Sequence, residues 1–172
     1  MRTFAPRSRS LAWAAYAACG WTLGYTALKL YWAVGGTALR STIGFPDEVW
    51  QEPSFIAIGL WGTVALGLFG AAVALALARP WGARTIRWLL LTAAWGASAL
   101  LLLRGVAGIV QGILALTGAL TIPESVARSV IYWDFLFYSP YFLVWGILWA
   151  AAAWWATRRH TASTTSDPLP AR

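Results

Sequence analysis

Two cations lie within long apolar stretches of this chain, where charged side chains are rare. Lys29 lies in the first stretch and Arg104 in the third. A charge at membrane depth costs free energy, so such a side chain normally faces the protein interior and has a partner or a function. Because a guanidinium can bind carboxylate or phosphate oxygens through two parallel hydrogen bonds, Arg104 is a candidate site for an anion or a headgroup.

Polar side chains share the helical faces of both cations. Tyr25, Lys29 and Trp32 follow one another at four- and three-residue steps, which places them on one side of a helix. Gln111 lies two helical turns after Arg104, so the amide and the cation point the same way. Two structural alternatives stay open: Lys29 extends its amine to the membrane surface, and Arg104 forms an ion pair that fixes the helix register.

A third group of polar residues opens the fourth apolar stretch. Asp134 either caps the N-terminus of a helix or pairs with Arg104, for which Glu124 and the first-loop carboxylates are other candidate partners. Tyrosines nearby could line the mouth of a cavity. We therefore hypothesise a ligand-binding site in the outer half of a helix bundle, formed by Tyr25, Lys29, Trp32, Arg104, Gln111, Asp134, Tyr138 and Tyr141.

The elements that must position these residues follow from composition. Of 172 residues, 59% are hydrophobic and 11% are charged, whereas a soluble domain has roughly 25% charged residues. A spanning helix needs about 20 apolar residues. The chain therefore predicts an all-α, polytopic membrane protein with four transmembrane helices in one bundle. These helices cover about residues 11–34, 54–78, 88–117 and 134–157, between a basic N-terminus at 1–10 and a disordered tail at 158–172.

The third apolar stretch is longer than one span requires. It extends over residues 88–122, which would make roughly 50 Å of helix against a hydrocarbon core of about 30 Å. Two interpretations stay open, a single tilted helix and a helix broken near Arg104. The end of the first helix is clearer: Gly35 and Gly36 predict a C-terminus, because glycine readily takes the left-handed conformation there.

Basic residues predict the orientation in the membrane. Nine of the thirteen Lys and Arg residues lie in the N-terminus, the second loop and the C-terminus, against two in the first and third loops. Because positive segments stay in the cytoplasm, both termini are predicted to be cytoplasmic, in the plasma membrane of a bacterium. The net charge of +7 follows from this topology, so no nucleic-acid partner is expected.

Motifs for catalysis are missing from the sequence. The single His is His160, next to the C-terminal tail, so neither a histidine metal site nor a catalytic triad is possible. Cys19 is the single cysteine, which excludes a dithiol redox pair. We therefore expect a protein that is not an enzyme and holds no metal and no cofactor, with a carboxylate–arginine active site as the alternative.

Several segments resemble a family of small bacterial membrane proteins, common in actinobacteria, that is recorded only as a domain of unknown function. The segments are residues 29–36 (KLYWAVGG), 103–105 (LRG), 133–134 (WD) and 139–146 (SPYFLVWG). The resemblance covers most of the chain outside the two tails. It implies four spanning helices and suggests no activity.

Three functions are compatible with these features. The leading hypothesis is that the polar site binds a lipid or small amphiphile in the outer leaflet of the bilayer. The alternative is an accessory subunit that docks into a larger membrane complex through stripes of small residues, such as Gly20-xxx-Gly24 and Gly108-xxx-Gly112. A small transporter that acts as a homo-oligomer is the third.

Overall fold

Four long helices make up the part of the chain that the structure describes. The computed structural model describes residues 12–78, 84–121 and 127–164, and these residues contain no strand. Helix α1 is Ala12–Ala33 and helix α3 is Arg84–Leu116. Helix α2 begins with a π-helical segment, Phe55–Gly62, and continues as Thr63–Ala78. Helix α4 has three consecutive segments: Arg128–Trp133, the π-helical Asp134–Tyr138, and Ser139–Thr164.

Three of these helices are long and apolar enough to cross a membrane. They are Phe55–Ala78, Arg87–Leu116 and Arg128–Arg158, and together they indicate a multi-pass membrane protein. Four spans were predicted, and three of the described helices meet this criterion of length and composition. Helix α1 is the exception: besides Lys29 it contains two Thr, three Tyr and three Trp, residues of low hydropathy.

Helix α1 packs between α2 and α4, and α3 packs along α4. The core that these helices share includes small residues: Ala15 and Ala18 on α1 and Ala152 on α4 are fully buried in one cluster. Small side chains let helix backbones approach closely, which is how helices associate when no hydrophobic effect drives them together. Trp145 of α4 then donates its indole N–H to the Thr22 hydroxyl over 2.9 Å, which satisfies two buried polar groups.

Helices α3 and α4 approach so closely that glycine is required on both sides. A Cβ added to Gly105 would lie 2.9 Å from the backbone nitrogen of Leu143. A Cβ added to Gly146 would lie 2.9 Å from the backbone nitrogen of Leu102. Gly105 serves this contact and does not interrupt the helix: α3 is continuous over its full 33 residues, from Arg84 to Leu116. The interpretation as a helix broken near Arg104 is therefore wrong.

Two helix ends carry glycine in the left-handed conformation. Gly35 follows α1 with φ of 98°, as predicted, and Gly118 follows α3 with φ of 75°. Helix α4 extends beyond its predicted bounds of 134–157 at both ends, because no Gly or Pro interrupts the chain between Ala127 and Pro140 or between Thr157 and Thr164. The predicted basic N-terminus and the last residues of the predicted tail, 165–172, lie outside the described residues.

Candidate functional site

A cavity of about 440 Å³, here called the outer cavity, opens between α1, α3, α4 and the loop that follows α1. This volume lies within the ~300–1,000 Å³ that small-molecule sites usually have. Its apolar wall includes Leu28, Ile43 and Phe142. Seven of the eight predicted site residues line it: Tyr25, Lys29, Trp32, Arg104, Gln111, Asp134 and Tyr138.

The eighth predicted residue, Tyr141, lies outside the lining. Its hydroxyl donates a hydrogen bond of 2.9 Å to the carbonyl of Trp21, and its ring packs on the Trp21 indole with centroids 5.0 Å apart. Tyr141 therefore ties α4 to α1. Phe142, one position later in the chain, lines the outer cavity in its place.

The π-helical segment of α4 explains this one-residue displacement. The N–H of Ser139 donates to the carbonyl of Asp134, five residues back, which is the hydrogen bond of a π-helix. Such a turn holds one residue more than an α-helical turn, so every later side chain is displaced by one position. The turn ends next to Pro140, which has no N–H to continue the regular ladder. Single π-helical turns of this kind frequently occur at functional sites.

Arg104 of α3 and Asp134 of α4 form an ion pair on the wall of the outer cavity. Nη2 of Arg104 donates to Oδ1 of Asp134, and the hydroxyl of Ser139 donates to Oδ2 over 3.0 Å. The guanidinium also lies over the Phe142 ring, 5.2 Å from its centroid. The Arg104 side chain lines the cavity and is 45% exposed, so the guanidinium is only partly covered by the protein. Asp134 lies inside α4, so its predicted role as the helix cap is wrong, because the helix begins earlier in the chain.

Gly108 makes room for this ion pair. A Cβ at Gly108 would lie 2.0 Å from the Ser139 hydroxyl and 2.8 Å from Oδ2 of Asp134. The Gly108-xxx-Gly112 spacing predicts close packing of α3 against another helix. In the structure, Gly108 also leaves the space that the Arg104–Asp134 ion pair and the Ser139 hydroxyl occupy. Ser139 and Phe142 were missed by the sequence analysis, and the signal that could have found Ser139 is its position directly before Pro140.

Lys29 of α1 faces the outer cavity between two aromatic rings. Its Nζ lies 5.4 Å from the centroid of the Tyr25 ring and 5.1 Å from that of Trp32. Such contacts stabilise a cation through the negative face of the ring. None of the described carboxylates approaches Lys29 within 4.0 Å. The amine is therefore held in place by aromatic rings and lacks a described counter-ion.

The loop after α1 closes the outer side of the cavity. Thr42 and Tyr138 share a hydrogen bond of 2.6 Å between their hydroxyls, which fastens the loop to α4. The Trp32 indole donates to the carbonyl of Ala38 over 2.8 Å, and the Arg40 guanidinium lies 4.7 Å from the Trp50 ring centroid. The polar composition of this loop gave no sign that it packs. Its aromatic residues, Phe45 and Trp50, are the signal that could have indicated it.

The arrangement is suited to binding an anionic group next to an apolar one. Lys29, Arg104 and Asp134 are the charged residues of the lining, and most of the other walls are apolar or aromatic. Asp134 is the one carboxylate among the described residues of the lining. Among the described residues no three potential metal ligands lie together.

Comparisons with known proteins place the chain in a family. No curated protein and no solved structure matches it. The model of a family described as "Protein of unknown function (DUF3995)" matches residues 22–149, which include every residue that lines the outer cavity. The resemblance to a domain of unknown function is thereby confirmed. Since the match covers most of the chain, this protein belongs to the DUF3995 family.

Proposed function

We propose that this protein spans the plasma membrane of a bacterium four times, with both termini in the cytoplasm, and binds a lipid or small amphiphile in the outer cavity. The observation that carries the proposal is that Lys29 and Arg104, two cations from different helices, face the same space. An amphiphile would place its polar group beside them and its apolar part against Leu28, Ile43 and Phe142.

The packing of α1 supports a fourth span. Thr22 and Thr26 are buried, and their hydroxyls donate to α1 carbonyls over 2.7 and 2.8 Å, so these polar groups are satisfied without water. Large side chains on the outside are apolar or aromatic, among them Trp13, Leu23 and Leu30. With 22 residues, α1 is about 33 Å long, enough to cross a hydrocarbon core of ~30 Å.

The distribution of charge supports the orientation. Arg87 donates a hydrogen bond to the carbonyl of Ala156, so the basic ends of α3 and α4 lie together. Carboxylates at the opposite end, such as Asp47 and Glu52, belong to the loop after α1. The basic end is cytoplasmic by the positive-inside rule. Arg104 then lies about 25 Å along α3 from Arg87, in the outer third of the bilayer.

The site supports binding more than catalysis. Ser139, the hydroxyl closest to the ion pair, is fully buried and donates to Asp134, so a substrate has no access to it. The Tyr138 hydroxyl is already hydrogen-bonded to the Thr42 hydroxyl. The side chains that remain available, Lys29, Arg104 and Gln111, are suited to holding an anionic or polar group.

An accessory subunit is the second candidate, and one observation favours it. Gly20 of the Gly20-xxx-Gly24 stripe is exposed, and a Cβ built on it meets no atom of the described protein within 4 Å. By contrast, Gly108 and Gly112 of the α3 stripe are used inside the bundle. A helix of another protein could therefore pack against α1 at Gly20.

Native mass spectrometry of gently solubilised protein tests the proposal. Ala115 lines the outer cavity, whereas Ala107 is an exposed residue of the same helix. Ala115→Trp should fill the cavity, and Ala107→Trp is the matched control. We expect wild type and Ala107→Trp to retain a bound amphiphile that Ala115→Trp loses. Equal retention by all three proteins, or no bound amphiphile in any, contradicts the proposal. A co-purifying protein that Gly20→Leu releases would support the second candidate.

A further inference from the structure

Among the described residues, the charged side chains that line the outer cavity do not balance. Its lining contains two cations, Lys29 and Arg104, and one carboxylate, Asp134. In their ordinary protonation states these groups leave one positive charge in excess. An uncompensated charge is costly in a region of low dielectric constant. A ligand that supplies one negative charge removes that cost.

The excess charge belongs to Lys29. Arg104 is already paired, and its partner Asp134 is fixed from the other side by the Ser139 hydroxyl at 3.0 Å. The close approach at Gly108 leaves this cluster little freedom to rearrange. Lys29 has aromatic neighbours at 5.4 and 5.1 Å instead of a described carboxylate. Aromatic rings attract a cation and leave its charge in place.

We propose that the ligand is an amphiphile whose polar group carries a single negative charge, of the phosphodiester type found in anionic glycerophospholipids. This inference rests on the proposed function and names its ligand class. Lys29 neutralises the phosphodiester, and the free edge of the Arg104 guanidinium donates to it. Gln111 faces the same cavity and can hydrogen-bond to hydroxyl groups of the headgroup.

Other headgroup classes fit the charge less well. A phosphomonoester carries close to two negative charges above its second pKa of about 6, so it would leave the cavity with a negative excess. A zwitterionic headgroup brings a cation that needs a carboxylate, and Asp134 is already bound to Arg104. The single-charge phosphodiester therefore matches the cavity best.

The test is a competition between lipids of identical acyl chains, read by native mass spectrometry at pH 8. Phosphatidylglycerol, phosphatidic acid and phosphatidylcholine are offered together to wild type, Lys29→Gln and Lys29→Arg. Wild type should prefer phosphatidylglycerol by about tenfold, the effect of one hydrogen bond between charged groups. Lys29→Gln should lose this preference and Lys29→Arg should keep it, which separates charge from folding.

The outcomes distinguish the inference from the proposed function. Binding of all three lipids without preference, or a preference that Lys29→Gln leaves unchanged, overturns the inference while the lipid site stands. Absence of lipid binding from wild type overturns both. The last part of the test is competition of water-soluble glycerophosphoglycerol with the bound lipid. If it displaces the lipid, the ligand is a soluble phosphodiester and the amphiphile is refuted, whereas failure to displace supports the lipid.

Discussion

Replacing Gly105 with alanine should separate α3 from α4. The added Cβ would lie 2.7 Å from Cγ and 2.9 Å from the backbone nitrogen of Leu143, well inside the 3.4 Å at which ordinary contact begins. A backbone atom cannot rotate away as a flexible side chain can, so one helix must move. Gly96 of the same helix is the matched control, since a Cβ there meets no described atom within 4 Å.

The two variants should change stability in opposite directions. Overpacking of a close contact costs about 1–3 kcal/mol of stability. Alanine in a helix interior is more stabilising than glycine by roughly 0.5–1 kcal/mol. Gly105→Ala should therefore lower the free energy of unfolding by about 1–2 kcal/mol. Gly96→Ala should raise it by up to about 1 kcal/mol.

Thermal unfolding in one detergent, followed by the fluorescence of the thirteen Trp residues, measures both variants against wild type. A Gly105→Ala protein as stable as the Gly96→Ala protein would refute the close packing of α3 and α4. It would also show that Gly105 is not needed for the contact with Leu143. Gly146→Ala, which meets Leu102 from the opposite side, should reproduce the loss.

Two interactions around the outer cavity give further predictions. Arg104→Leu and Asp134→Leu should each destabilise the protein by about 1–2 kcal/mol, because each leaves an unpaired charge that is partly exposed. In chemical denaturation, the double variant should lose less unfolding free energy than the sum of the two single losses. Additive losses would show that the two side chains are not coupled. Thr42→Val and Tyr138→Phe each remove one hydroxyl of the bond that closes the loop, and Thr42→Val also removes the hydrogen bond that this hydroxyl donates to the Leu39 carbonyl. Either should speed amide exchange in residues 36–45 by up to about tenfold, with no further gain in the double variant, and unchanged exchange would contradict this role.

The helical frame was accessible from the sequence because it depends on local signals. Four apolar segments predicted four helices, and Gly35 marked the end of α1. The span count differs at α1 because that helix contains Lys29, two buried Thr, three Tyr and three Trp, all of which lower its mean hydropathy. A polar face lowers the hydropathy of a helix in the same way whether it faces water or protein.

The lining of the outer cavity was partly accessible for the same reason. Depth and helical face bring Lys29, Arg104 and Asp134 together, and these follow from residue counting. Tyr141 was misplaced because counting assumes a regular helix, whereas the π-helical turn Asp134–Tyr138 displaces the following residues by one. That turn ends next to Pro140 and carries Asp134, the partner of Arg104 in α3. A tertiary contact of this kind leaves no periodic signal in the sequence.

Because α3 is long, the position of its end relative to the bilayer surface depends on the thickness of the membrane. The apolar part of α3, Arg87–Leu116, has 30 residues, about 45 Å of helix. Even a tilt of ~40°, the upper end of what spanning helices show, leaves about 34 Å along the bilayer normal. In a membrane, the end of α3 that carries Gln111 and Ala115 would then extend several ångströms past a thin hydrocarbon core of about 27 Å and only just past a thick one of about 33 Å. Hydrophobic mismatch would thus set how far above the acyl chains the outer cavity opens.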